Sequence, residues 1–184
     1  MDLVKRAKKY AVKWHGKDTY GPDLPYIYHL EKVVGVLERF GYKDEVLIAA
    51  AYLHDVVEDT DYTVDDVCDK LGYSVARIVD DVSDAGDATM SRNERKALTY
   101  PRIRGRKEST IVKLADRIAN FEACINGWEK KGIEKCFRKM SKYVNEYKHF
   151  HHELYFENMA EELWDHLADL VYNAKQHLKE ADDS

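Results

Sequence analysis

AAYLHDVVEDT, residues 50–60, sets a histidine, two aspartates and a glutamate among alanine, tyrosine, leucine and valine side chains. The apolar spacing reads as a core helix, on which His54 and Glu58 lie one turn apart, as do Asp55 and Asp59. Four polar groups then leave neighbouring sectors while Leu53, Val56 and Val57 pack inward. An ionised carboxylate buried by itself is heavily penalised, and the usual remedies are a paired charge or a metal ion. The stretch therefore predicts a helical bundle built around a polar centre, with a metal as the simplest reason for that centre.

Outward from it, apolar residues recur at spacings of three and four, and only three prolines interrupt 184 residues. Helices dominate, and the expected class is all-α, a single domain over 1–184. The pattern predicts helices at about 2–15, 28–40, 44–57, 63–71, 73–83, 91–100, 107–124, 132–149 and 152–179. Gly41, Gly72 and Gly132 are expected as stops or turns. HGKDTYGPDLP (15–25) collects turn formers and predicts a loop leading into the helix of His29, and SDAGDATMSRN (83–93) predicts a second exposed loop. Internal repeats and low-complexity tracts are absent from the sequence.

The formal net charge of −5 argues against a stable nucleic-acid partner. The charge is unevenly spread, however: residues 92–107 carry Arg92, Arg95, Lys96, Arg102, Arg104, Arg106 and Lys107 against one acid, Glu94, a local excess suited to an anionic ligand. Cys68, Cys124 and Cys136 are odd in number and widely spaced, which suggests neither a disulfide framework nor a cysteine metal site. The basic, amphipathic start MDLVKRAKKYAVKW lacks the apolar run of a signal peptide, and no later run has the length of a membrane span. A cytoplasmic protein with no membrane association is expected.

Two further isolated polar residues sit in apolar surroundings. PYIYHLEKV places His29 near a helix start, and IVKLADRIANF places Asp116 among Ile111, Val112, Leu114, Ala115 and Ile118. With His54 and Asp55 they make two imidazoles and two carboxylates, a mixed nitrogen and oxygen set suited to Mn²⁺, with Fe²⁺ or Zn²⁺ as alternatives.

The order His, His-Asp, Asp resembles the HD-superfamily metal-dependent phosphohydrolases. The longer strings PYIYHLEKV, AAAYLHDVVEDT with YTVDDV, LGYSVARIVDDVS and VKLADRIANF are similar to the hydrolase domain of RelA/SpoT-type alarmone enzymes and to the small alarmone hydrolases, in order over about residues 8–125. The resemblance implies an all-helical bundle that removes pyrophosphate from the 3′ position of guanosine tetra- or pentaphosphate. It implies that His29, His54, Asp55 and Asp116 bind Mn²⁺, that Glu58 and Asp59 are catalytic, and that Asn120 lies near the substrate sugar. Residues 126–184 are expected as additional helices completing the bundle.

The chain departs from that family in one loop. Tyr20, Gly21 and Pro22 stand where the family carries an Arg-Lys pair and a small polar residue, and Leu30 replaces a proline. The family's arginine packs on the guanine base, so the Tyr20 ring is expected to stack there instead, with Lys17 nearby. Arg92, Arg95 and Lys96 are expected to meet phosphate charge. Bland readings stand beside these: Glu58 and Asp59 as a solvated helix end, Tyr26, Tyr28 and Tyr52 as packing residues, His15 as structural, and His149, His151 and His152 as solvent-facing or capping residues between helices. The rival functions are a hydrolase of another nucleotide, either nucleotidase or phosphodiesterase, and a non-catalytic nucleotide-binding module.

Overall fold

A computed structural model describes residues 2–21, 23–87, 89–125 and 129–182, with 129–135 and 180–182 described by backbone alone. Pro22 lies outside the described residues. Helix α1 (Leu3–His15) is capped by the Asp2 carboxylate, which accepts from the Lys5 amide at 2.8 Å. A short antiparallel hairpin follows, β1 (Thr19–Tyr20) against β2 (Leu24–Pro25), where the sequence predicts only a loop. Then come α2 (Ile27–Arg39), α3 (Glu45–Leu53), α4 (Val56–Asp59), α5 (Val64–Leu71), α6 (Tyr73–Val82), α7 (Arg92–Arg104), α8 (Lys107–Ile125), α9 (Glu129–Leu154) and α10 (Glu161–Asp182).

Two helices organise the rest. In α3 every side chain from Leu47 to Leu53 is buried, so the helix is apolar all round and sits between α1, α2, α6 and α8. Its three consecutive alanines allow those neighbours to approach closely. Helix α8 packs against α2, α3, α6, α7, α9 and α10. One hydrophobic cluster runs from Ala7 on α1 to Ala174 on α10 and takes in Leu163 and Trp164, so the last two helices share the core with the rest.

The expected helix over 44–57 is broken at His54–Asp55. His54 Nδ1–H donates to the Ala51 carbonyl at 2.8 Å, and the Glu58 and Asp59 amides turn back to the Asp55 carbonyl at 3.1 and 2.9 Å. A fresh helix turn thus starts at Asp55, and the two metal candidates stand at a corner rather than on one continuous face. The expected helix over 91–100 runs on through Pro101 to Arg104. The proline forgoes only its own amide bond, buried Tyr100 and Ile103 hold the turn, and the Gly105 amide closes it on the Pro101 carbonyl at 3.1 Å. Gly132 stops nothing, since α9 passes through it. Nor does a break fall near residue 150: Phe150 and Leu154 are buried core residues that carry α9 on through His149, His151 and His152.

Candidate active site

The corner between α3 and α4 faces the first turns of α2 and the middle of α8, and there four side chains meet. His29, His54 and Asp116 each offer a donor atom within 4.8 Å of the others. Asp55 Oδ2 lies 3.1 Å from His54 Nε2 and 3.4 Å from His29 Nε2, while Asp116 Oδ1 lies 3.7 and 3.2 Å from the same two nitrogens. Both histidines are buried.

The donor set fits a metal ion. Because a carbonyl only accepts, the bond to Ala51 puts the proton of a neutral His54 on Nδ1 and leaves a lone pair on Nε2, which has no hydrogen-bond partner among the described residues and points at two carboxylates. Lone pair against anion is repulsive unless a cation, a proton or a metal ion, stands between them. Charge says the same. Burial by itself would lower both imidazole pKa values, yet the two carboxylates raise them, and burial would raise Asp55 and Asp116, yet the imidazoles hold both well below the ordinary carboxylate range. A buried pair of carboxylates asks for two positive charges, which one divalent ion supplies.

An outer layer orients the ligands. Tyr26 Oη–H donates to Asp55 Oδ2 at 2.7 Å, and the buried His15 ring stacks on Tyr26 at 4.2 Å. The Asn120 amide donates to Asp116 Oδ1 at 2.5 Å and to the Asp116 carbonyl at 3.0 Å, while its oxygen accepts from Tyr20 Oη at 3.1 Å and from Lys139 Nζ. All four hydrogen-bonding positions of Asn120 are therefore used within the protein, which makes it an orienter of Asp116 rather than a free sugar contact. Tyr20 stacks on His29 with centroids 4.7 Å apart, and Lys139 Nζ sits 5.1 Å over its ring. Packed on His29 and only 7% exposed, Tyr20 offers little open ring surface for a base to stack on.

A cavity of about 400 Å³ opens over the cluster. Of the expected site residues, His29, Asp55, Asp116, Glu58, Asp59, Tyr20, Asn120, Arg92 and Lys96 line it, and His54 is buried behind them. Lys17 is exposed outside the lining. Arg95 also lies outside it: Nε is 3.3 Å from Asp84 Oδ2 and Nη1–H donates to the Met90 carbonyl at 3.0 Å. The basic segment is a helix followed by a turn, and a helix spreads its charges over several faces. Arg102 and Arg106 accordingly pair with Asp80 and Asp81 on α6, each at 2.7 Å, and not with the cavity.

Glu58 and Asp59 keep solvent contact but lie in a recess. Glu58 Oε1 accepts from the Asp84 amide at 2.9 Å. Enclosure by the cavity walls raises the Glu58 carboxyl to about 7; Lys113 opposes this, and the charges of Asp55 and Asp84 add to it. Enclosure and the Asp55 charge raise Asp59 as well.

The sequence reading missed Lys113, Arg117, Lys139 and Tyr143, all of which line the cavity. Lys113 precedes Asp116 by three residues and shares its helix face, so the spacing carried a signal. Lys139 and Tyr143 share one face of α9, but nothing in the sequence tells which face of that helix meets the site. His149 is exposed 3.9 Å from Glu153, and His151 stacks on Tyr155 at 4.6 Å.

A family model described as HD domain matches residues 7–139. The human guanosine-3′,5′-bis(diphosphate) 3′-pyrophosphohydrolase MESH1 is 37% identical over 127 residues, covering 66% of this chain and 69% of that protein. Its Xenopus tropicalis counterpart is 33% identical over 150 residues, covering 77% and 83%. The solved structure of a metazoan ortholog of SpoT that hydrolyzes ppGpp matches with a TM-score of 0.72 and 26% identity, over 97% of each chain.

Proposed function

This chain belongs to the HD-domain family, related to MESH1 and SpoT-type ppGpp hydrolases, and from that membership we propose that it removes pyrophosphate from the 3′ position of guanosine tetra- or pentaphosphate with Mn²⁺ as its metal ion. The observation that carries the reading is His54 Nε2, without a hydrogen-bond partner among the described residues and turned with His29 toward Asp55 and Asp116 at the base of a cavity lined by basic residues. The activity of the relatives, as guanosine-3′,5′-bis(diphosphate) 3′-pyrophosphohydrolases, supplies the substrate. The mixed imidazole and carboxylate set supports Mn²⁺, and Fe²⁺ and Zn²⁺ suit the same donors. We take residues 1–184 as one domain, supported by a core that reaches α10, and place the protein in the cytoplasm on its cysteine usage; no helix among the described residues is long and apolar enough to cross a membrane.

His29, His54, Asp55 and Asp116 hold the metal ion, which when bound supplies the charge that lowers the pKa of water and polarises phosphoryl oxygens. Glu58, with its carboxyl near neutrality, takes the proton of the attacking water, and Asp59 orients that water beside it. The water oxygen bonds to the phosphorus nearest the ribose, the bond from that phosphorus to the 3′-oxygen breaks, and the 3′-oxygen takes up the proton that Glu58 received. Products are pyrophosphate and GDP or GTP. Lys113, on the same wall as Glu58 and Asp116, offsets the charge that grows on the departing oxygen. Because the Tyr20 ring is buried against His29, the base is held by other walls of the cavity.

The test is pyrophosphate released from guanosine tetraphosphate by the parent and by Asp55→Ala, with elemental analysis of both. Release by the parent, with loss of both metal and release in the variant, is the expected result. Release of a different phosphate from a panel of other nucleotides, with none from guanosine tetraphosphate, would move the assignment to a nucleotidase or phosphodiesterase.

A further inference from the structure

The cavity has a second charged end. Lys96 Nζ lies 2.7 Å and Arg117 Nη1 3.6 Å from Glu146 Oε2, and Arg92 Nε lies 3.3 Å from Glu146 Oε1. Arg92, Lys96 and Arg117 line the cavity, while Glu146 stands behind them on α9. One carboxylate against three cations leaves an excess of two positive charges.

Lys96 and Arg117 are each 7% exposed, a setting in which uncompensated charge is costly. Burial lowers the Lys96 pKa and Glu146 works against that fall, so the carboxylate helps keep the ammonium charged. Arg117 cannot shed its proton. Its guanidinium is instead fixed between the rings of Tyr143, at 4.1 Å, and Phe150, at 4.8 Å. Positive charge that is packed, aimed and in excess beside a cavity is what a multiply charged anion needs.

This end adjoins the reacting one. Arg117 follows Asp116 on α8, whereas Arg92 and Lys96 come from α7, a helix that supplies none of the metal cluster, and all three line the same cavity. Resting on the substrate reading above, we infer that Arg92, Lys96 and Arg117 hold the second, unreacting diphosphate of the nucleotide, and that Glu146 sets how much phosphate charge this end accepts. Glu146 is a positioning residue: it keeps three mutually repelling cations together and removes one charge from their sum.

The experiment compares KM for pyrophosphate release from guanosine 3′,5′-bis(diphosphate) with KM from guanosine 3′-diphosphate. The ratio of the second to the first measures the preference for charge at the 5′ end. Lys96→Met is expected to shrink that ratio at least about fivefold, and Glu146→Gln to enlarge it by a similar factor, as for a partly exposed charge pair made or lost. A merely structural role for Glu146 would change both KM values alike and leave the ratio in place. That outcome, or shifts of the same sign in the two variants, overturns the inference. Should the parent release pyrophosphate from neither compound, the substrate reading fails and the anion site is read separately, by calorimetric titration of inorganic triphosphate into metal-stripped protein. Binding weakened by Lys96→Met and strengthened by Glu146→Gln still supports the site, and binding equal in all three proteins overturns it.

Discussion

At the scale of single residues, the site works through side chains that are kept from neutralising one another. Glu58 is the clearest case. Its folded carboxyl titrates at about 7 against an ordinary value of 4.5, chiefly because the cavity walls enclose it. Between those two pH values the folded protein holds a proton that the unfolded chain has lost. The stability linked to Glu58 is therefore present below the ordinary value and disappears as pH rises through 7. Denaturant midpoints of the metal-free protein should fall over that window, and Glu58→Gln should flatten the fall; a curve of unchanged shape in the variant counts against the enclosed carboxyl. In the metal-loaded enzyme the same variant is expected to lower kcat at least about 100-fold, as befits loss of a proton acceptor. Asn120 acts one step further out. Asn120→Ala frees Asp116 to rotate and should weaken Mn²⁺ affinity by about 10- to 100-fold, measured by calorimetric titration.

At the scale of elements, a few local signals decide where the functional side chains stand. Helix α7 begins with a capping box in which the Glu94 amide donates to Ser91 Oγ and the Ser91 amide donates to Glu94 Oε2 at 2.7 Å. That box fixes the first turn, and with it Arg92 and Lys96. Ser91→Ala should cost about 1 kcal/mol in denaturant unfolding. It should also raise KM for the nucleotide through loosening of that turn. A variant that loses the stability but keeps its KM would show that the first turn of α7 does not set the phosphate contacts. The corner at His54–Asp55 follows the same logic, since a side chain bonded to a carbonyl three residues back ends one helix and lets the next start in a new direction.

At the scale of the whole molecule, the polar centre is enclosed by an apolar shell. Asp55 and Asp116 are anions close to one another inside a core that reaches from α1 to α10. An ion that binds the folded state alone adds stability by mass action, about 4 kcal/mol when present at a thousandfold excess over its dissociation constant. Stripping the metal with a chelator should therefore lower the thermal midpoint by several degrees, and Mn²⁺ should restore it; a midpoint unmoved by either treatment would mean that the cluster holds no ion.

The sequence alone determined the helical class and the identity of the polar centre. Apolar spacing reports helices wherever one face is buried, and histidine or aspartate inside such a face is too costly to lack a purpose, so His29, His54, Asp55 and Asp116 stood out without coordinates. Tertiary structure decided the rest. The corner after Leu53, the covering of Tyr20 by His29 and Lys139, the engagement of Asn120 by Asp116, and the split of the basic segment between the cavity and α6 all depend on which helices become neighbours. Periodicity along one helix states what must be buried. It is silent on what the buried face will meet, because that is fixed by contacts between residues far apart in the chain.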